Sequence, residues 1–315
     1  MGIFVFKEGI MTWRSILISK GGKLSLQKNQ MLIQQEGNEF TVPLEDIAIV
    51  VVDSRETVIT IPLLSAFGLY GITFLTCDEQ FLPCGQWLPF NQYHRQLKTL
   101  KLQLEASLPQ KKQLWQKIVQ QKIRNQATVL KICKFQAESD RLSKMAEQVK
   151  SGDKENLEAQ SAVIYFQTLF GKGFKRTEDE NMVNSALNYG YTVMRSAVAR
   201  ALVLYGWLPQ IGLFHRSELN AFNLADDFIE PFRPLVDLLV VQLANEDKLT
   251  FNLSPILKQR LIKVLNYQLL FKQEKVNALT AIERSVSSFQ SALTQRNAGL
   301  LKLPEILPLA EHQYE

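Results

Sequence analysis

The chain has 315 residues, 46% apolar and 21% charged, with a net charge of +5; this is ample material for a core and excludes a disordered chain. No uncharged run approaches the roughly eighteen apolar residues of a membrane span, and Met1–Lys7 lacks the layout of a signal peptide. Cys77, Cys84 and Cys133 are odd in number and show no C-x-x-C spacing, which argues against a disulfide framework or a cysteine metal site and for a reducing cytoplasm.

In chain order, Met11 is a second candidate start, and from Thr12 the pattern predicts short strands. These are Trp13–Ile18, Met31–Ile33 and Glu39–Val42, with Gly21-Gly22 and Glu36-Gly37-Asn38 as turns between them. Ile47–Val52 reads as a buried strand from its β-branched density. Pro62–Gly71 reads as a short helix opened by proline and closed by glycine. Ile72–Cys77 reads as another strand. Cys84–Asn91 reads as a linker, and the period then becomes helical over 93–107, 111–148, 155–170, 180–206, 223–246, 254–273 and 276–296. The expected fold class is α+β, a small N-terminal β-rich domain (1–85) followed by a larger all-α helical domain (86–315).

Charge is unevenly spread. Residues 86–150 carry 13 basic and 4 acidic side chains, the concentration a polyanion-binding face needs. A solvated lysine-rich helix pair would carry the same pattern. Lys111, Lys112, Lys122 and Arg124 are the candidates for nucleic-acid contact there, joined by Lys172, Lys175 and Arg176 from the basic loop Gly171–Arg176. That loop lacks the G-x-x-x-x-G-K-[ST] spacing of a nucleotide loop, and the chain holds no G-x-G-x-x-G and no G-x-S-x-G.

The chemistry concentrates in Gly212–Asp237, where His215 shares a short stretch with Asp226, Asp227, Glu230 and Asp237. Four carboxylates among mostly apolar neighbours repel one another and are costly to bury without a cation. Pro231 and Pro234 should kink or restart the helix between them. Two readings stand side by side: a helix start with Glu230 or Asp237 paired to Arg233, or a divalent-metal site of His215, Asp227 and Glu230. Upstream, Glu158 shares a helix face with Ala162, Tyr165 and Leu169, which should be buried. A carboxylate there wants a partner, either Arg176 or Lys172 as a salt bridge, or a metal shared with His215 and Glu230.

Glu158-x-x-x-Ala162-x-x-Tyr165-Phe166, Leu187-Asn-Tyr-Gly-Tyr191, Gly212-x-x-His215 and Asp227-x-x-Glu230-x-Phe232-Arg233-Pro234 occur in the order found in CRISPR-associated protein one, which this chain resembles. Met11-Thr-Trp-Arg14 and Glu39–Ile47 are similar to its type II branch. The resemblance implies a DNA endonuclease/integrase of CRISPR adaptation, inserting short double-stranded DNA (protospacers) into the CRISPR repeat array by 3′-OH transesterification. It implies that Glu158, His215 and Glu230 are catalytic and bind Mg²⁺ or Mn²⁺, with Asp227 an auxiliary acidic candidate. Asn188, Tyr189 and Tyr191 would serve mainly in packing, with Tyr165 and Arg233 as supports of the site. The implied partners are double-stranded DNA, a second copy through a dimerisation role of residues 1–85, CRISPR-associated protein two and the type II RNA-guided effector, with no membrane. Two other readings of the residues remain: a non-catalytic nucleic-acid-binding scaffold, and a metal phosphohydrolase acting on small phosphate esters.

Overall fold

The structure, a computed structural model, describes residues 3–4, 14–79, 81–88, 95–178, 181–246, 249 and 253–312. The Met11 start and residues 89–94 around the end of the expected linker lie outside them. The N-terminal part runs β1 (Ile3–Phe4), β2 (Arg14–Ile18), β3 (Gly22–Gln27), β4 (Gln30–Gln35), β5 (Asn38–Pro43), β6 (Ile47–Val52), β7 (Thr57–Ile59), α1 (Ile61–Tyr70), β8 (Thr73–Cys77) and β9 (Pro83–Trp87). One sheet is ordered β1-β2-β6-β8-β9, with parallel pairing of β2, β6 and β8 and antiparallel strands at both edges. The other is ordered β5-β4-β3-β7. The two-residue links Lys28-Asn29 and Glu36-Gly37 have positive φ at both positions, the conformation of tight hairpin turns whose twist matches the strands.

Side-chain alternation explains why Ile47–Val52 is apolar throughout. Val50 and Val52, like Ile16 and Ile18 of β2, pack with Leu24, Met31, Ile33 and Phe67 between the two sheets and α1. Ile49 and Val51, with Leu17 and Leu75, pack on the opposite side into the helical core. A strand buried on both faces has no position for a polar residue. β9 corrects the linker reading, because Gly85, Gln86 and Trp87 pair with Thr76, Leu75 and Phe74.

The remainder is mostly helical: α2 (Gln96–Leu104), α3 (Leu108–Ile132), α4 (Gln136–Gln148), α5 (Leu157–Phe170), α6 (Met182–Leu204), α7 (Asn223–Ile229), α8 (Arg233–Asn245), α9 (Pro255–Ile262) and α10 (Ala278–Thr294). Three of the long predicted helices end early. The chain reverses after α3 at Lys134, which has φ 68°. It also breaks at Glu230–Phe232, as the prolines require; Pro234 sits in the first turn of α8, where no amide is missed. After α9 it extends into β10 (Tyr267–Phe271), which pairs antiparallel with β11 (Glu274–Asn277) and β12 (Glu305–Glu311). The expected all-α part thus contains a three-stranded sheet. Among the described residues, no helix is long and apolar enough to cross a membrane.

Polar anchors join the two parts. Arg200 of α6, 2% exposed, donates to the carbonyl of Gly71 at 2.6 Å and pairs with Glu283 at 3.0 Å. Lys258 of α9 holds both oxygens of Asp53 at 3.1 and 3.0 Å, and both residues are buried.

Candidate active site

The back wall of the site is the inward face of α3. Leu114, Ile118, Val119 and Ile123 bury it, yet Lys122 and Asn125 interrupt the apolar run and are themselves buried. Asn125 donates to the carbonyl of Pro231 at 2.7 Å and to that of Pro304 at 3.0 Å. It thereby ties α3 to the break between α7 and α8, where Glu230 sits. Glu158 lies in the first turn of α5. Asp153, at φ 47°, accepts the amides of Leu157 and Glu158 at 3.0 Å each, which satisfies two of the orphan donors at that helix start. The buried stripe of α5 is Leu157, Ser161 and Tyr165, so Glu158 stands at its edge, one position off the stripe expected for it.

The Lys122 ammonium meets Oε1 of Glu158 and Oε2 of Glu230. Neither Arg176 nor Lys172 takes the expected place beside Glu158. The contact with Glu230 is one of charge: Oε2 is buried and receives no hydrogen bond of regular geometry. Oε1 of Glu230 accepts from Nε of Arg233 at 2.8 Å, the pairing in the helix-start reading. Burial would raise the pKa of Glu230, but Arg233 and Lys122 outweigh it and hold the carboxyl at about 2. Burial likewise opposes the charge on Lys122, and Glu230 and Glu158 reverse that, so the ammonium persists.

His215 is presented by the loop before α7. Nδ1 lies 2.8 Å from Oδ1 of Asp227, which also accepts the His215 amide at 3.2 Å; Oδ2 accepts the amides of Leu213 at 2.5 Å and Phe214 at 3.2 Å. Asp227, fully buried, thus shapes the loop and orients the imidazole, leaving Nε2 as the nitrogen able to coordinate. Its hydrogen bond raises the His215 pKa against the opposing effect of burial. Gly212 has a steric reason to be glycine: a Cβ there would lie 2.4 Å from the carbonyl oxygen of His215 and 2.9 Å from Oδ2 of Asp227.

Asp226 and Asp237 have partners too. Asp226 accepts from Asn220 at 2.7 Å and faces Arg195 at 3.8 Å. Asp237 accepts the hydroxyl of Tyr191, and burial raises its pKa to about 6. Because that value exceeds the unfolded one, the folded chain binds the extra proton between roughly pH 4 and 6 and gains stability as pH falls through that window. Relative to Asp237→Asn, the wild type is expected to gain about 2–3 kcal/mol between pH 7 and pH 4, measured by urea unfolding at each pH.

One of the expected nucleic-acid contacts is corrected, and a second is engaged within the chain. Lys122 is 7% exposed and held by two carboxylates, so it offers no surface to a phosphate. Arg176 is bound internally, to Asn184 and to Oδ1 of Asn188 at 2.7 Å, with its guanidinium against the Phe166 and Tyr191 rings. Arg124, Lys172 and Lys175 are exposed, and Lys111 and Lys112 half-buried. Lys111 lines a depression with His215 and Arg216. Tyr189 and Tyr191 are buried in the core, as packing residues should be.

Among the described residues, no group of three or more His, Cys, Asp or Glu stands close enough to hold a metal ion; the ammonium of Lys122 occupies the space between the two glutamates. The donor chemistry nevertheless fits a hard divalent cation, since two carboxylates and an imidazole nitrogen suit Mg²⁺ or Mn²⁺. Oε2 of Glu230, buried and facing the Lys122 ammonium, is the kind of oxygen such an ion would take.

The family model described as CRISPR associated protein Cas1 matches residues 16–263. The chain is 61% identical over 305 residues to the CRISPR-associated endonuclease Cas1 of Neisseria meningitidis serogroup C (strain 8013), covering 97% of this chain and all of that one. A casposase bound to its integration product shares the fold with a TM-score of 0.75 at 18% identity, over 90% of this chain and 91% of that one. A Cas6-RT-Cas1–Cas2 complex gives 0.75 at 16% identity, over 96% of this chain and 37% of the matched chain.

Proposed function

This chain belongs to the Cas1 family of CRISPR-associated proteins, and on that premise we propose that it is a divalent-metal-dependent DNA endonuclease and integrase of CRISPR adaptation. The reaction is attack by the 3′-OH of a short duplex on a phosphodiester of the CRISPR repeat, with one phosphodiester exchanged for another. The observation that carries this reading is the meeting of Glu158 and Glu230, 72 positions apart in the sequence, on one buried positive charge. Bound there, Mg²⁺ or Mn²⁺ would polarise the scissile phosphate and stabilise the charge that builds on it. Glu158 and Glu230 would hold the ion, and Nε2 of His215 would join them. Asp227 keeps Nδ1 of the imidazole engaged, which fixes the tautomer. Arg233 holds the second oxygen of Glu230 and so limits its rotation.

The ammonium of Lys122 competes for the same oxygens. Lys122→Met is therefore expected to bind Mn²⁺ about tenfold more tightly or better, because two facing carboxylates lose their internal counter-charge. Calorimetric titration checks this, and an unchanged affinity would show that the ammonium does not compete.

DNA would lie along the exposed cations Arg124, Lys172 and Lys175 and the half-buried Lys111, with a steep salt dependence. A homodimer flanking CRISPR-associated protein two is the proposed assembly, since two strand ends must be joined. The exposed apolar side chains Val58, Ile61 and Leu69 of the N-terminal part suit a subunit contact. A non-catalytic DNA-binding scaffold would also pair its acids internally, as Lys122 and Arg233 do here. Joining of a labelled duplex to a repeat-bearing plasmid in Mn²⁺, with and without the partner protein, separates the two readings. Joined product is expected, and its absence under both conditions would favour the scaffold.

A further inference from the structure

The loop that presents His215 also leaves two large apolar side chains in the open, Phe214 at 44% exposure and Leu219 at 99%. Phe214 is nevertheless held firmly. Its ring lies parallel to that of Trp115, with centroids 4.4 Å apart and an interplanar angle of 0°, and Trp115 is itself buried in the face of α3. Its amide donates to Asp227, and its ring meets the His215 imidazole edge-on at 5.7 Å. One face of Phe214 is thus covered by an indole, and its exposure belongs to the rest of the ring. Arg216 donates from Nε to the carbonyl of Phe214 at 3.4 Å, and Lys111, Arg216 and Glu218 line the neighbouring depression that contains His215 and Leu219. An aromatic ring backed by a buried indole, with a cation on its own loop, is the combination that receives an unpaired nucleotide: the base stacks and the phosphate meets the cation. A fully paired duplex, whose bases are already stacked on one another, would gain nothing from such a face.

We propose that Phe214, backed by Trp115, is the stacking platform for one unpaired nucleobase of the DNA strand presented at His215. It is a substrate-positioning residue that sets where the neighbouring phosphate lies. The proposal rests on the DNA-joining activity proposed above.

The test uses the full-length chain and duplexes with unpaired 3′ ends carrying 2-aminopurine at one position at a time. Binding by wild type and by Phe214→Trp is expected to quench one of these positions. Phe214→Ala and Phe214→Leu are expected to lose that quenching and to raise KM for the unpaired-end duplex about 5- to 100-fold. Their binding of a fully paired duplex should match wild type, with the melting temperature lowered only by the lost stack on Trp115. Glu158→Gln should still quench although it no longer joins strands. If wild type joins strands but quenches no position, or if Phe214→Ala matches it in quenching and KM, the platform does not exist while the joining activity stands. If wild type quenches but joins nothing, the activity assignment falls and the platform remains. A loss confined to binding of the partner protein would make Phe214 a protein contact and overturn the proposal.

Discussion

Glu158→Gln is expected to lower Mn²⁺-dependent strand joining by at least about a thousandfold, with a melting temperature close to wild type. The separation of activity from stability follows from where the side chain sits. Glu158 is 27% exposed on its side chain, and the contacts that cap α5 run from its backbone amide to Asp153. Glutamine keeps the shape and removes the charge, and Lys122 retains Glu230 as its counter-ion. Glu230→Gln should lose the same activity but also unfold more easily, by about 1–3 kcal/mol, because Arg233 loses its carboxylate and Lys122 keeps only the half-buried Glu158. Single-turnover joining assays beside thermal melts distinguish the two variants. Substantial joining by Glu158→Gln in Mn²⁺ would remove it from the set of metal ligands, and with it the argument that the two glutamates share an ion.

Much of this molecule was readable from the chain, and the gaps have physical causes. Ile47–Val52 was identifiable because double burial leaves a continuous β-branched run. β3 was not, because Gly22 looked like part of a turn; it opens the strand instead, where a Cβ would lie 2.4 Å from the carbonyl of Gln34. The hairpin of β10 and β11 escaped notice because Lys272 and Gln273 take positive φ without the glycine or asparagine that usually announces such a turn. In the site, His215, Glu230 and Glu158 stood out as polar groups on apolar backgrounds. Lys122, a lysine between Ile118, Val119 and Ile123, meets the same criterion, but the count of basic residues pooled it with the solvated ones. What one dimension cannot supply is the pairing itself, since Lys122 meets Glu158 across 36 positions. Periodicity reports which face is buried and not what it is buried against.

A buried ion pair between distant segments carries a large expected effect on stability. Asp53 follows β6, and Lys258 reaches it from α9, 205 positions away, with both carboxylate oxygens engaged. Both side chains are almost fully enclosed, at 5% and 3% exposure, and the ammonium also lies 4.6 Å from the Phe81 ring. Asp53→Ala leaves a desolvated ammonium with no carboxylate, and a loss of about 3–5 kcal/mol is expected in urea unfolding. Lys258→Met should cost a similar amount by stranding the carboxylate. The double variant Asp53→Leu/Lys258→Met is the informative one, because it removes both desolvation costs together and should recover most of the loss. Recovery would mean that the pair contributes little net stability and that its role is geometric, fixing the register of α9 against the sheet. Failure of the double variant to recover would mean that the ion pair itself holds the N-terminal sheets to the helical part. In that event the same variants should also loosen the packing of β2 and β6 on the helical core, read as faster amide exchange at Leu17, Ile49 and Val51.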